Sequence, residues 1–146
     1  MSIHAILGAD GAIGRATAAA VTAKGLDARP LTRKDANAMV ADELIKVLDG
    51  ADVVYNCVGL PYNSDLWTKG FPAISNALIE ACEKTSTKIV YFDNIYLYGP
   101  APLPVPFTEG CARTPPSRKG MARKTSVEIV MAAHRQGRVH ATGGRA

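Results

Sequence analysis

Short apolar runs alternate with segments of helical period along the whole of this chain. Ile3–Leu7 is a mostly apolar run that stops at Gly8, the pattern of a buried parallel strand. Residues 12–24 follow as an alanine-rich helix, and Gly25 stands where helices commonly end in a left-handed glycine. A second strand is predicted over 28–32, kept short by Pro30, which has no N–H to give to a sheet ladder. Residues 38–41 read as a third short strand, followed by a helical turn over 43–48 that Gly50 ends. The run 51–58, ADVVYNCV, is the clearest strand, rich in β-branched and aromatic residues. Phe71, Ile74, Leu78, Ile79 and Cys82 fall at helical spacing, which predicts an amphipathic helix over 70–84. A strand at 88–92, a loop at 99–116 carrying six prolines, a helix at 118–136 and the start of a strand at 138–142 complete the series. This alternation predicts α/β architecture. A doubly wound parallel sheet of about six strands, covered by helices on both faces, forms one domain over 1–146.

Composition agrees with a globular chain. Hydrophobic residues make up 47% and charged residues 21% of the 146, enough to bury a core without disulfides or metal. Cys57, Cys82 and Cys111 are too few and too scattered for a disulfide framework, and no C-x-x-C spacing offers a zinc site. They read as reduced thiols, and no metal is expected. No apolar run approaches the roughly 20 residues that cross a bilayer. The N-terminus MSIHAILGAD lacks a basic leader and a cleavage site, so a cytoplasmic protein without a membrane partner is expected. The formal net charge of +4 is uneven: from Arg113 onward, eight Lys or Arg face a single acid, Glu128. No aromatic residue is interleaved with those cations, so a base-stacking platform is missing and nucleic acid is not an expected partner.

The segment Gly8-Ala9-Asp10-Gly11-Ala12-Ile13-Gly14 lies between the first strand and the first helix. Glycines at every third position permit a tight turn, close approach of backbone to a pyrophosphate, and tight helix-on-strand packing. The free N–H groups and positive dipole end of the helix then suit the phosphates. No Gly-Lys-Ser/Thr follows, so this is not a mononucleotide P-loop. Gly8, Asp10, Gly11, Ala12, Ile13, Gly14 and Arg15 are therefore candidate contacts to a dinucleotide. An NAD site calls for an acid at the end of the second strand to take the ribose 2′-OH. Here that place holds Thr32-Arg33-Lys34, and Arg33 with Arg15 suits a 2′-phosphate. NADP is expected ahead of NAD, although Asp35 stands close by.

With these residues in view, the chain resembles the extended or atypical short-chain dehydrogenase/reductases, the NAD-dependent epimerase/dehydratase family. The resemblance spans essentially the whole chain. It rests on the glycine loop, on Asp42 after the third strand, and on ADVVYNCVG at 51–59. YFDNIYLYGP at 91–100 and Lys124 with Glu128 four residues on complete it. It implies a Rossmann NAD(P)-binding fold, with Asp42 near the adenine, Cys57, Val58 and Gly59 along the cofactor, and Lys124 on the nicotinamide ribose. The family's chemistry uses a Ser or Thr, a Tyr and a Lys, the last two spaced Tyr-x-x-x-Lys, the lysine easing proton transfer by the phenol. Four residues before Lys124 stands Gly120, and the hydroxyl position four before Tyr98 is Asn94. Asn94, Tyr96, Tyr98 and Lys124 are the catalytic candidates, with Tyr62 a further substitute.

The family fold continues past the equivalent of Ala146 with at least one more strand and a substrate region. The resemblance thus implies a cofactor part without its substrate region, and an open sheet edge for a homodimer to cover. The expected function is hydride transfer between a nicotinamide and an unknown carbonyl, alcohol or nucleotide-sugar substrate, in an oxidoreductase or epimerase-type domain. The alternative is a catalytically silent dinucleotide-binding sensor or scaffold, or an inert fragment of a longer epimerase.

Overall fold

Leu7, at the end of the first strand, pairs in register with Leu31 on one side and Asn56 on the other. That strand is β1 (Ile3–Leu7), and the computed structural model, which describes residues 1–146, builds a single sheet around it. The remaining elements are α1 (Ala12–Ala23), β2 (Asp27–Leu31), α2 (Ala41–Leu48), β3 (Val53–Asn56), α3 (Ser64–Thr85), β4 (Lys88–Asp93), α4 (Arg118–Arg135) and β5 (Ala141–Arg145). A single 3-10 turn, Ile95–Leu97, follows β4. All strand pairs are parallel and the sheet order is β2-β1-β3-β4-β5. Chain order reverses between β1 and β3, the switch point at whose carboxyl ends open α/β sheets hold ligands.

The sheet has five strands where about six were expected. The missing one is the run at 38–41, which leaves the sheet altogether. Met39 and Val40 are exposed, and Asn37 dominates the local geometry. Its side chain accepts a bond from Met39 N at 3.0 Å, while its own N–H donates to the Glu43 carboxylate at 2.7 Å. A polar turn that leads into a helix N-terminus outcompetes a strand with no neighbour to pair with. Consequently Asp42 does not follow a third strand; it occupies the first turn of α2, where its charge complements the helix dipole.

Other boundaries shift as well. Helix α3 starts at Ser64, six residues before the expected 70, because Asn63 caps it by accepting from Asp65 N and Leu66 N. The strand expected over 51–58 is confined to Val53–Asn56, so Cys57 onward leaves the sheet. The strand expected from 138 begins at Ala141, since Arg138 instead grips Glu83 through two bonds of 2.8 and 2.9 Å.

Alternation along β3 and β4 sends Val54, Ile89 and Tyr91 into the core under α2, α3 and α4. Right-handed crossovers place those three helices on one face and α1 on the other. Leu44, Leu48, Ile74, Leu78 and Val130 are fully buried between helices and sheet. A hydroxyl trio of Ser75, Tyr91 and Ser126 ties α3, β4 and α4 together inside this layer.

One ion cluster locks the end of β4. Asp93 is buried and receives Arg123 Nη2 at 2.8 Å on one oxygen and Arg145 Nε at 3.3 Å on the other. Arg123 also donates to the Phe92 carbonyl at 3.1 Å. Asp93 therefore joins α4 and β5 to β4. Replacing it by Ala strands Arg123 in a buried site, so D93A is expected to cost about 3–5 kcal/mol in urea unfolding; a loss under 1 kcal/mol would show that the cluster is dispensable.

Candidate functional site

The bend between β1 and α1 is built by backbone against backbone. A β-carbon at position 14 would collide with the Gly8 carbonyl oxygen, so only glycine lets the first turn of α1 lie this close to β1. Gly8 N and Ala9 N both donate to the Leu31 carbonyl at 3.0 Å, which anchors the bend to β2. The N-cap of α1 is Gly11; no side chain caps this helix and its first turn carries no acid. Its leading N–H groups are thus left without a side-chain acceptor, and the positive end of the helix is not neutralised.

A cavity of about 610 Å³ opens beside this bend. One wall is Gly8, Asp10 and Gly11; the opposite wall is Cys57 to Pro61, where the chain leaves β3. Thr32 and Arg33, immediately after β2, close one end together with residues 36 to 39. The cavity therefore sits across the β1/β3 switch point. Asp35 turns away from it into local bonds: its carboxylate accepts from Thr32 N at 2.7 Å and from the Thr32 hydroxyl at 2.9 Å. Those bonds, the backbone one foremost, hold its carboxyl below the ordinary range. Cys57 meets the Thr17 hydroxyl at 3.6 Å, and burial pushes its thiol up; Cys82, buried in the core, is pushed up to about 12. Both favour the thiol, and no group of three metal-ligating side chains gathers anywhere.

Of the expected contacts, Gly8, Asp10, Gly11, Arg33, Cys57, Val58 and Gly59 line the cavity. Ala12, Ile13, Gly14 and Arg15 form the first turn of α1 behind it, with Arg15 donating to the Asp10 carbonyl at 2.6 Å. Asp42 is exposed on α2 and does not line it. Asn37, Ala38, Met39, Leu60, Pro61 and Ile74 were not anticipated. Asn37 and the turn-forming Asp35 were the available signals, masked by the apolar Ala38, Met39 and Val40.

None of the four catalytic candidates lines the cavity. Asn94 is spent as a cap, accepting from Tyr96 N at 3.0 Å. Tyr98 is 6% exposed, packed edge-on against Phe107, with its hydroxyl 3.5 Å from Arg145. Lys124 is partly buried on α4 and faces Glu128 at 3.9 Å. Tyr96 is exposed and lies flat on Trp67. Gly120, four before Lys124, has no room for any side chain: a β-carbon there would stand 2.5 Å from the Tyr96 carbonyl oxygen. The residue that reaches outward at this point is Lys119, one place earlier, whose ammonium sits 3.9 Å over the Tyr62 ring.

A parallel sheet of this order, with a glycine bend and a cleft at the switch point, defines a Rossmann-type α/β protein. The chain belongs to the NAD dependent epimerase/dehydratase family, whose model matches residues 4–146. Similar solved structures agree on the fold. UDP-N-acetylglucosamine 4-epimerase from Bacillus cereus superposes with a TM-score of 0.88 at 18% identity, covering 99% of this chain and 60% of its own. UDP-glucose 4-epimerase from Brucella ovis, in complex with NAD, gives 0.88 at 15%, covering 99% and 51%. The dTDP-4-dehydrorhamnose reductase from Bacillus anthracis, in complex with NADP, gives 0.80 at 15%, covering 99% and 53%. This chain thus spans about half to three fifths of the length of these proteins. Among curated proteins, none matches the sequence.

The packing at the start of α4 is open to test. Gly120→Tyr is expected to lose about 1–3 kcal/mol through overpacking, whereas Lys119→Tyr should stay within about 0.5 kcal/mol. Thermal melts of the two variants that coincided would contradict the close approach of Gly120 to the Tyr96 carbonyl.

Proposed function

We propose that this cavity takes a nicotinamide dinucleotide, NADP in preference to NAD. The chain then serves as the cofactor-binding part of an oxidoreductase or epimerase-type protein. The observation that carries the reading is the uncapped, acid-free N-terminus of α1 beside a bend that only glycine can make. Backbone N–H groups there suit a diphosphate and need no side chain to hold it. A β-carbon at Gly14 would drive the first turn of α1 off the Gly8 carbonyl, and one at Gly8 would stand 2.9 Å from the Cys57 carbonyl oxygen, so the residues present fit the group.

Arg33, at the end of the cavity beyond β2, supports a 2′-phosphate, for which a guanidinium offers paired donors. Asp35 supports the same choice. Its carboxylate is engaged by Thr32 and so is poorly placed to accept a ribose 2′-OH. Opposite the glycine bend, Val58, Gly59 and Leu60 offer a mostly apolar wall suited to a nicotinamide ring. When bound, the nicotinamide supplies the hydride chemistry, and the substrate class in keeping with the family is a sugar-nucleotide carbonyl or alcohol.

Asn94, Tyr96, Tyr98 and Lys124 remain proposals for the chemistry, and they differ in access. Tyr96 has an open face beyond β4, and Asn94 shapes its turn; Tyr98 is packed inward and Lys124 is turned to Glu128. One observation favours the second reading, a dinucleotide-binding protein without turnover: a tyrosine cannot be housed at position 120. Cytoplasmic placement and a homodimer across the β5 edge also stand as proposals. No helix is long and apolar enough to cross a membrane.

Fluorescence titration with NADPH and NADH tests the cofactor. Both should bind, NADPH more tightly. Arg33→Glu should weaken NADPH by about 1.5–3 kcal/mol, roughly 10- to 160-fold, and NADH far less. Equal losses for the two would remove the 2′-phosphate assignment, and no binding of either at millimolar concentration would remove the dinucleotide itself.

A further inference from the structure

Three side chains from three elements meet just past Pro61, where the 57–61 wall of the cavity ends. Tyr62 comes from the segment after β3, Tyr96 from the turn after β4, and Lys119 from the first turn of α4. Trp67 organises them. It belongs to a buried cluster with Phe71, Ile74 and Ala122 against which Val58 and Leu60 of the cavity wall pack, and it donates Nε1 to the Pro61 carbonyl at 2.9 Å. Its ring meets Tyr62 edge-on at 5.5 Å and lies parallel to Tyr96 at 5.9 Å. Trp67 itself is 7% exposed, so both tyrosines rest on a rigid support while their hydroxyls reach solvent. Lys119 covers the Tyr62 ring at 3.9 Å.

We propose that Tyr62, Tyr96 and Lys119 form the proton-transfer group of this protein, standing in for the Tyr-x-x-x-Lys pair that its helix α4 lacks. The proposal rests on the dinucleotide reading above. In the reducing direction, a reduced nicotinamide dinucleotide gives hydride to the carbon of a carbonyl substrate, and the Tyr62 hydroxyl gives its proton to the oxygen. A C–H and an O–H bond form, while the C=O π bond and the phenolic O–H bond break; the carbonyl is reduced and the dinucleotide oxidised. The phenolate left on Tyr62 has the Lys119 ammonium 3.9 Å over its ring and is reprotonated from water. The Tyr96 hydroxyl has its pKa raised above the ordinary tyrosine value, first by the neighbouring Tyr62 hydroxyl, with Lys119 pulling the other way. Tyr96 therefore stays protonated while Tyr62 gives up its proton.

Trp67 is the sole tryptophan, so its emission reads the cluster without any added ligand. Tyrosinate quenches a stacked indole, and the alkaline quench of Trp67 is the first measurement. Lys119→Met should move its midpoint to higher pH, and Tyr62→Phe should move it to lower pH. Coincident curves would show that Lys119 and Tyr62 do not act on the titrating hydroxyl and would overturn the proposal. The second measurement follows oxidation of bound NADPH by 9,10-phenanthrenequinone as the carbonyl probe. Tyr62→Phe should slow it by roughly 10²-fold or more. A rate equal to wild type, or no oxidation by wild type that binds NADPH, would overturn the proton-transfer role. Failure of wild type to bind NADPH would instead bring down the dinucleotide reading, with the quench shifts unaffected.

Discussion

The contact of Gly14 with the Gly8 carbonyl is the constraint on which the remainder depends. It lets α1 begin directly against the end of β1, so that its N-terminus points along the switch point instead of away from it. From that one approach follow the uncapped amides and the opening between the two loops. The position of Arg33 depends on it too, because the Leu31 carbonyl accepts from Gly8 and Ala9 and so fixes the end of β2 to the bend. A side chain at position 14 would push helix and strand apart and dismantle all three.

A second close approach governs the other end of the site. Gly120 lies against the Tyr96 carbonyl, and this seats α4 so that Lys119, not its neighbour, projects beyond the sheet. Arg123, one turn later, is drawn inward to Asp93 and Phe92. The helix that carries proton-transfer groups elsewhere in the family here carries a cation outward and an ion pair inward.

The late excess of positive charge also finds its explanation in the fold. Arg118 pairs with Asp65, Arg138 with Glu83, and Arg123 and Arg145 with Asp93. Four of the eight late cations thus stand opposite an acid from an earlier element. The exposed pairs among them add little to stability; the buried one sets how β4, α4 and β5 fit together.

What the sequence by itself determined is what local backbone chemistry controls. Apolar periodicity announced the alternating strands and helices, and the spacing of Gly8, Gly11 and Gly14 announced the bend, since both depend on residues a few positions apart. The stretch 57–59, singled out by the family resemblance, lines the cavity. Tertiary structure alone decided the points that depend on distant partners. Residues 38–41 have strand-like composition, but β1 already has β2 and β3 as neighbours, and Asn37 takes the backbone into a turn. Tyr96 and Tyr98 are indistinguishable by type and two residues apart, yet the 3-10 turn exposes one and buries the other. Counting back from Lys124 led to Gly120, because spacing along a helix does not say which side meets a carbonyl from another element. Only the packing of α4 on the end of β4 settles that, through contacts 24 residues apart in the chain between Tyr96 and Gly120.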